Sequence, residues 1–142
     1  MRLGMAEDAN VVEFKRWFTQ AEHDLEAARS SSRSGHFEWA CFQAQQAAEK
    51  ALKSFLFLNG TRAVITHSVT NLLRECERFD SSFSTVRPTK ELDQYYIPTR
   101  YPNGLPGQIP HDYFDTEDAR KCIAHADTLL NFVNERARPL LA

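Results

Sequence analysis

Over residues 11–29, Phe14, Trp17, Phe18, Ala21, Leu25 and Ala28 recur three and four positions apart, the spacing that lines one face of an α-helix. Asn10 is placed to cap this helix with Glu13 as its capping-box partner, and the Ser- and Gly-containing stretch 30–35 is a stop. Residues 37–58 predict a second helix whose wide face carries Ala40, Ala44, Ala47, Ala48, Ala51, Leu52, Phe55 and Leu56. Its small residues permit close helix packing, and Gly60 ends it because glycine takes the left-handed conformation without steric cost. Ser68 caps a short third helix over 69–79, with Leu72, Leu73, Cys76 and Phe79 inward. Residues 89–97 predict a two-turn piece that stops before Pro98, and Thr116 caps a last helix with Ala119, Ile123, Ala126, Leu129, Leu130 and Val133 on the core face. No strand-like alternation or internal repeat competes, so the pattern predicts an all-α, up-and-down bundle of about five helices.

Between the last two helices lies TRYPNGLPGQIPHDYFD, residues 99–115, with three prolines and two glycines. Regular structure is excluded over most of it. A connection this long exceeds the usual helix-to-helix link, which marks it as a functional segment.

Length and composition narrow the setting. The 142 residues suit one domain over 1–142, its core at about 11–138 and its first ten residues flexible. A net charge of -2 gives no global pull toward nucleic acid or an anionic membrane, so any anion site is local. With no apolar run of spanning length and no secretory signal, the chain reads as soluble and cytoplasmic. Cys41, Cys76 and Cys122 are too widely spaced for a disulfide framework or a metal clip and read as buried small hydrophobes.

Chemistry is restricted by what is missing. His23, His36, His67, His111 and His125 form no pair at a metal-ligating helical spacing, so no metal site is expected. Five scattered glycines supply no Walker or dinucleotide loop, and a nucleophile elbow lacks its strand–turn–helix frame. What remains is Tyr95, Tyr96, Arg100, Tyr101, Asn103 and His111 on and beside the long loop. Arginine forks match phosphate oxygens and aromatic faces suit nucleobases, although Arg100 can equally bond helix-terminal carbonyls to hold the loop down. Lys50 and Lys53 can approach a phosphate from the second helix, with Glu49 and Lys53 as a solvated i,i+4 pair being the plainer reading. His67 either caps the third helix or lines a groove, and Trp17 and Trp39 read as core or dimer anchors.

The opening helix with Trp17, Ala21, Asp24, Leu25 and Ala28, the stretch FQAQQAAEKALKSFL, and LDQYYIPTRYPNGLPGQIPHDYF followed by Asp118 and Ala119 occur in an order that resembles the HEPN family. The Arg100-Tyr101-Pro102 segment and its continuation are particularly similar to the C-terminal HEPN domain of sacsin and its prokaryotic stand-alone relatives. The resemblance implies a homodimeric helical bundle that binds a purine nucleotide such as ATP or GTP without a required cofactor, in a chaperone-linked setting. On it, the nucleotide-binding residues are Arg100 for phosphate, Tyr101 for base or sugar, His111 for a hydrogen bond, and Lys53, Lys50 and His67 as auxiliaries. No catalysis is implied by this branch. Another branch comprises metal-independent ribonucleases of toxin–antitoxin and defence systems, whose motif is Arg, four to six residues, then His, and for which a nucleotidyltransferase is the expected partner. Here ten residues separate Arg100 from His111, so this pair departs from the motif while remaining the ribonuclease candidate. A pure dimerisation or chaperone-docking domain is the third reading.

Overall fold

The computed structural model describes the backbone of residues 4–141 and the side chains of residues 9–141. It consists of α1 (Gly4–Arg33), α2 (Phe37–Leu58), α3 (Val69–Glu77), a 3₁₀ stretch (Ser81–Tyr95), a 3₁₀ turn (Pro102–Gly104), the one-turn α4 (Pro110–Tyr113) and α5 (Thr116–Leu141). Among the described residues there is no strand, as the hydrophobic pattern predicts. α2 is the central element, packed against α1 on one side and α5 on the other. Ala21 and Ala28 of α1 and Ala40, Ala44, Ala47, Ala48 and Ala51 of α2 are all fully buried, and their small side chains let the backbones approach closely.

The ends of α2 and α3 follow their sequence signals. Beyond Leu58, Gly60 adopts φ +96°, its N–H donates to the Phe57 carbonyl and that of Thr61 to the Leu56 carbonyl. This is the paired Schellman closure that glycine makes available. Ser68 accepts from the Asn71 N–H at the start of α3.

Three local expectations are corrected. α1 begins at Gly4, so Asn10 lies inside a helix and is no cap; its side chain instead accepts from Arg62, while Glu13 accepts from Trp17 Nε1. Of the first ten residues, 4–10 are helical, and residues 1–3 lie outside the described residues. α5 is capped by Asp115 rather than Thr116: Asp115 accepts from the Asp118 N–H, and the Asp118 carboxylate accepts from the Asp115 N–H, each at 3.0 Å. Phe79 is half exposed, because α3 ends at Glu77 before its ring can turn inward.

The 3₁₀ stretch extends eight residues earlier than the predicted piece at 89–97 and is broken at Val86, which has φ -106° and ψ 15°. Its Phe83 is fully buried, with ring centroids 4.7 Å from Phe55 of α2 and 4.9 Å from Phe132 of α5. One aromatic ring thus joins three elements, at about 1.5–3 kcal/mol of burial for such a side chain. This anchoring holds Tyr95, Tyr96 and the following loop against α2.

Candidate functional site

Along α2, Glu38, Phe42, Glu49 and Lys53 stand at intervals of four, seven and four residues, which places them in one stripe. At ~1.5 Å per residue the stripe is about 22 Å long. The surrounding segments dock their polar and aromatic side chains on it in order.

At the centre is Arg100. Its guanidinium carbon lies 4.5 Å from the Phe42 ring centroid, 4.7 Å from Tyr96 and 5.4 Å from Tyr101, within cation–π range of all three. Its Nε donates to the Tyr96 carbonyl at 2.9 Å, the loop-holding bond expected of it. Among the described residues its Nη groups find no hydrogen-bond acceptor, so the outer edge of the fork remains available. Tyr101 is half exposed beside it.

Toward the C-terminal end of the stripe, the His67 ring stacks on Tyr96 at 5.7 Å and its Nδ1 lies 3.1 Å from Glu49. Thr66, His67, Ser68, Asp93 and Tyr96 line a shallow, open cleft of about 380 Å³. His67 therefore lines a groove, and the helix cap is left to Ser68. Glu49 also accepts from Lys53 Nζ at 2.8 Å. Both members of that pair are buried, so the solvated i,i+4 pair is corrected: Trp17 covers the ammonium, 5.8 Å from its ring, and Trp17 in turn packs on Phe57 at 5.1 Å. Lys50 also turns toward α1 and binds Asp24 there at 2.5 Å.

Toward the N-terminal end, α4 carries His111 over the first turn of α2, where His111 Nδ1 lies 3.2 Å from Glu38. Glu38 is one helical turn from Phe42, so the contacts of Arg100 and His111 fall on neighbouring turns of one helix. The structure thus groups Arg100, Tyr101 and His67 around Phe42 and Tyr96, sets His111 one turn away, and leaves neither Lys50 nor Lys53 with a free ammonium. Tyr95 belongs to the core: burial first, then the nearby Cys122 and Asp118, pushes its hydroxyl well above the usual phenol range, and it stays a donor to Asp118.

Phe42 and Glu38 receive Arg100 and His111, contacts that the sequence alone does not assign. The signal for both is that same stripe, in which larger and acidic residues interrupt an otherwise Ala-rich helix. Two other pairs in the chain have four residues between Arg and His, and their members bond different partners: Arg120 bonds Glu117 while His125 bonds Glu91, and Arg62 bonds Asn10 while His67 bonds Glu49.

Residues 14–136 match the family model described as the HEPN domain. The chain is 27% identical over 135 residues to MJ1304 of Methanocaldococcus jannaschii, a protein named as a candidate toxin, covering 89% of each. It is 29% identical over 117 residues to human sacsin, of which it spans only 3%. Among solved structures, TT1696 from Thermus thermophilus superposes with a TM-score of 0.81 at 35% identity, covering 86% of this chain and 96% of that one. ST0689, an archaeal HEPN homologue, does so with a TM-score of 0.72 at 35% identity, covering 87% and 96%.

Proposed function

The chain belongs to the HEPN family, and from that premise we propose that it is a noncatalytic, homodimeric module that binds a purine nucleotide, ATP or GTP, at Arg100. The observation carrying this reading is the arginine itself. Its Nε is fixed by the Tyr96 carbonyl, its faces are flanked by aromatic rings, and its Nη edge is unpaired among the described residues. Such a fork meets a phosphate oxygen pair without rearrangement, and the half-exposed Tyr101 ring offers a stacking face to base or sugar. His67 borders the adjoining cleft and His111 lies one turn away as a further donor. No described helix is long and apolar enough to cross a membrane. Ile97, Tyr101, Ile109 and Tyr113 are each about half exposed on and beside the loop, as is Trp39 on α2, and aromatic and aliphatic groups of this kind favour a second copy as partner.

Calorimetry with ATP and GTP tests the reading. Arg100→Ala is expected to weaken binding at least about tenfold, equivalent to ~1.4 kcal/mol. Equal binding by both proteins removes Arg100 from the site. Failure of the folded wild type to bind leaves a dimerisation or chaperone-docking domain, the setting that similarity to sacsin suggests.

A ribonuclease reading is favoured by two observations: the name of the archaeal relative and the placement of Arg100 and His111 on neighbouring turns. With Nδ1 toward Glu38, His111 would have Nε2 for proton transfer from a 2′-hydroxyl while Arg100 stabilises the phosphorane, a scheme that uses no metal. Labelled RNA cleaved by wild type and spared by His111→Ala would establish it, and a nucleotidyltransferase would then be the partner to seek. Absence of His111-dependent cleavage removes it.

A further inference from the structure

We propose that His36, Glu38 and His111 form a binding site for a borderline divalent cation, Zn²⁺ being the best fit. One ligand atom from each lies within 4.8 Å of the other two. Spacing along the chain conceals the site, because the histidines are far apart in sequence and meet only when α4 docks on the start of α2.

Three features make the cluster a set of ligands. Glu38 is 7% exposed, yet its carboxylate has no Lys or Arg partner among the described residues; it faces only His111 Nδ1, at 3.2 and 3.3 Å. A buried carboxylate of this kind is short of positive charge. The His36 ring, centred 6.1 Å from that of His111, makes no side-chain hydrogen bond among the described residues and brings a ring nitrogen within 4.8 Å of the Glu38 carboxylate. Both histidines are exposed, so their rings can close the remaining distance to a metal by side-chain rotation alone.

The chemistry of the donors selects the ion. Two imidazole nitrogens and one carboxylate oxygen are a set that Zn²⁺ accepts with a fourth position left to water, whereas Mg²⁺ and Ca²⁺ require oxygen donors. The positive end of the α2 dipole opposes a cation here, and the charge of Glu38 in the first helical turn offsets it. An ion at this point would pin α4 to α2. The site shares His111 with the proposed nucleotide groove, but none of its three ligands belongs to the aromatic box around Arg100.

The test is a titration of the full chain with Co²⁺, read by d–d absorption, and with Zn²⁺, read by calorimetry. One equivalent per chain is expected, with a spectrum of four- or five-coordinate cobalt. His36→Ala and His111→Ala should each weaken Zn²⁺ binding by about tenfold or more. Both side chains are exposed, so circular dichroism should show an unchanged fold, and His23→Ala should bind as wild type. No binding by the folded wild type overturns the proposal, as does wild-type affinity in the double variant. An effect of His111→Ala without one of His36→Ala overturns the three-ligand site.

Discussion

Lys53 and Glu49 place full charges inside the molecule, 2.8 Å apart with each side chain 5% exposed. Removing Lys53 leaves the buried Glu49 carboxylate with only His67 and Gln46 as side-chain partners, at a cost of up to about 3–5 kcal/mol, whereas replacing both with apolar groups of similar volume is often near neutral. Lys53→Met is therefore expected to lower stability by about that amount, and Lys53→Met with Glu49→Leu to recover most of it. Urea unfolding of the four proteins of the cycle measures the difference. The i,i+4 spacing of the pair is readable from the sequence. Its burial is not, because the cover comes from Trp17 on another helix and from His67, whose position depends on the turn after Gly60.

At the level of elements, α3 has a cap that local sequence does not reveal. Besides Ser68, it uses Asp93 of the 3₁₀ stretch, whose carboxylate accepts from the N–H groups of Val69 and Thr70 at 2.6 and 3.0 Å and from the Thr70 hydroxyl at 2.7 Å. Negative charge at a helix N-terminus adds a dipole contribution to these bonds. Asp93→Ala should cost about 2 kcal/mol, more than the ~1 kcal/mol expected for Ser68→Ala, by chemical denaturation. The long helices are legible because each has an apolar face at helical period. The 3₁₀ stretch is hidden over 81–88 because Ser, Thr and Pro dominate there, and the placement of Phe83 depends on its partners in α2 and α5. For the same reason the loop at 99–115 announces itself by composition, while its docking on Glu38 and Phe42 of α2 does not.

Across the whole molecule, α5 is tied to the 3₁₀ stretch by Glu91, which lies 3.1 Å from His125 and 3.0 Å from Lys121. The His125 hydrogen bond first, then that of Lys121, holds the Glu91 carboxyl below its ordinary value of 4.5. A carboxylate depressed in the folded state stabilises the protein above the unfolded value and loses that contribution as pH falls through the folded one. Glu91→Gln should thus cost about 0.5–1 kcal/mol at neutral pH, as for a partly exposed ion pair. It should also flatten the drop in the urea midpoint that the wild type is expected to show as the pH is lowered from about 5, near the unfolded value. An equal drop in both proteins would place the acid sensitivity elsewhere, for instance at Asp80, which Ser82 and Arg136 also hold low against the effect of its burial.

The three cysteines are all free and buried, one each in α2, α3 and α5. Burial, followed by the charge of Glu75, pushes the Cys76 thiol far above the range in which thiolate forms, and a hydrogen bond with Cys41, followed by burial, does the same for Cys122. The native fold therefore keeps these three thiols out of reach of alkylating reagents. A single cysteine introduced at exposed Asn103 would be the one thiol that reacts, so a fluorophore or spin label could be attached to the loop in the otherwise natural sequence and its movement followed directly.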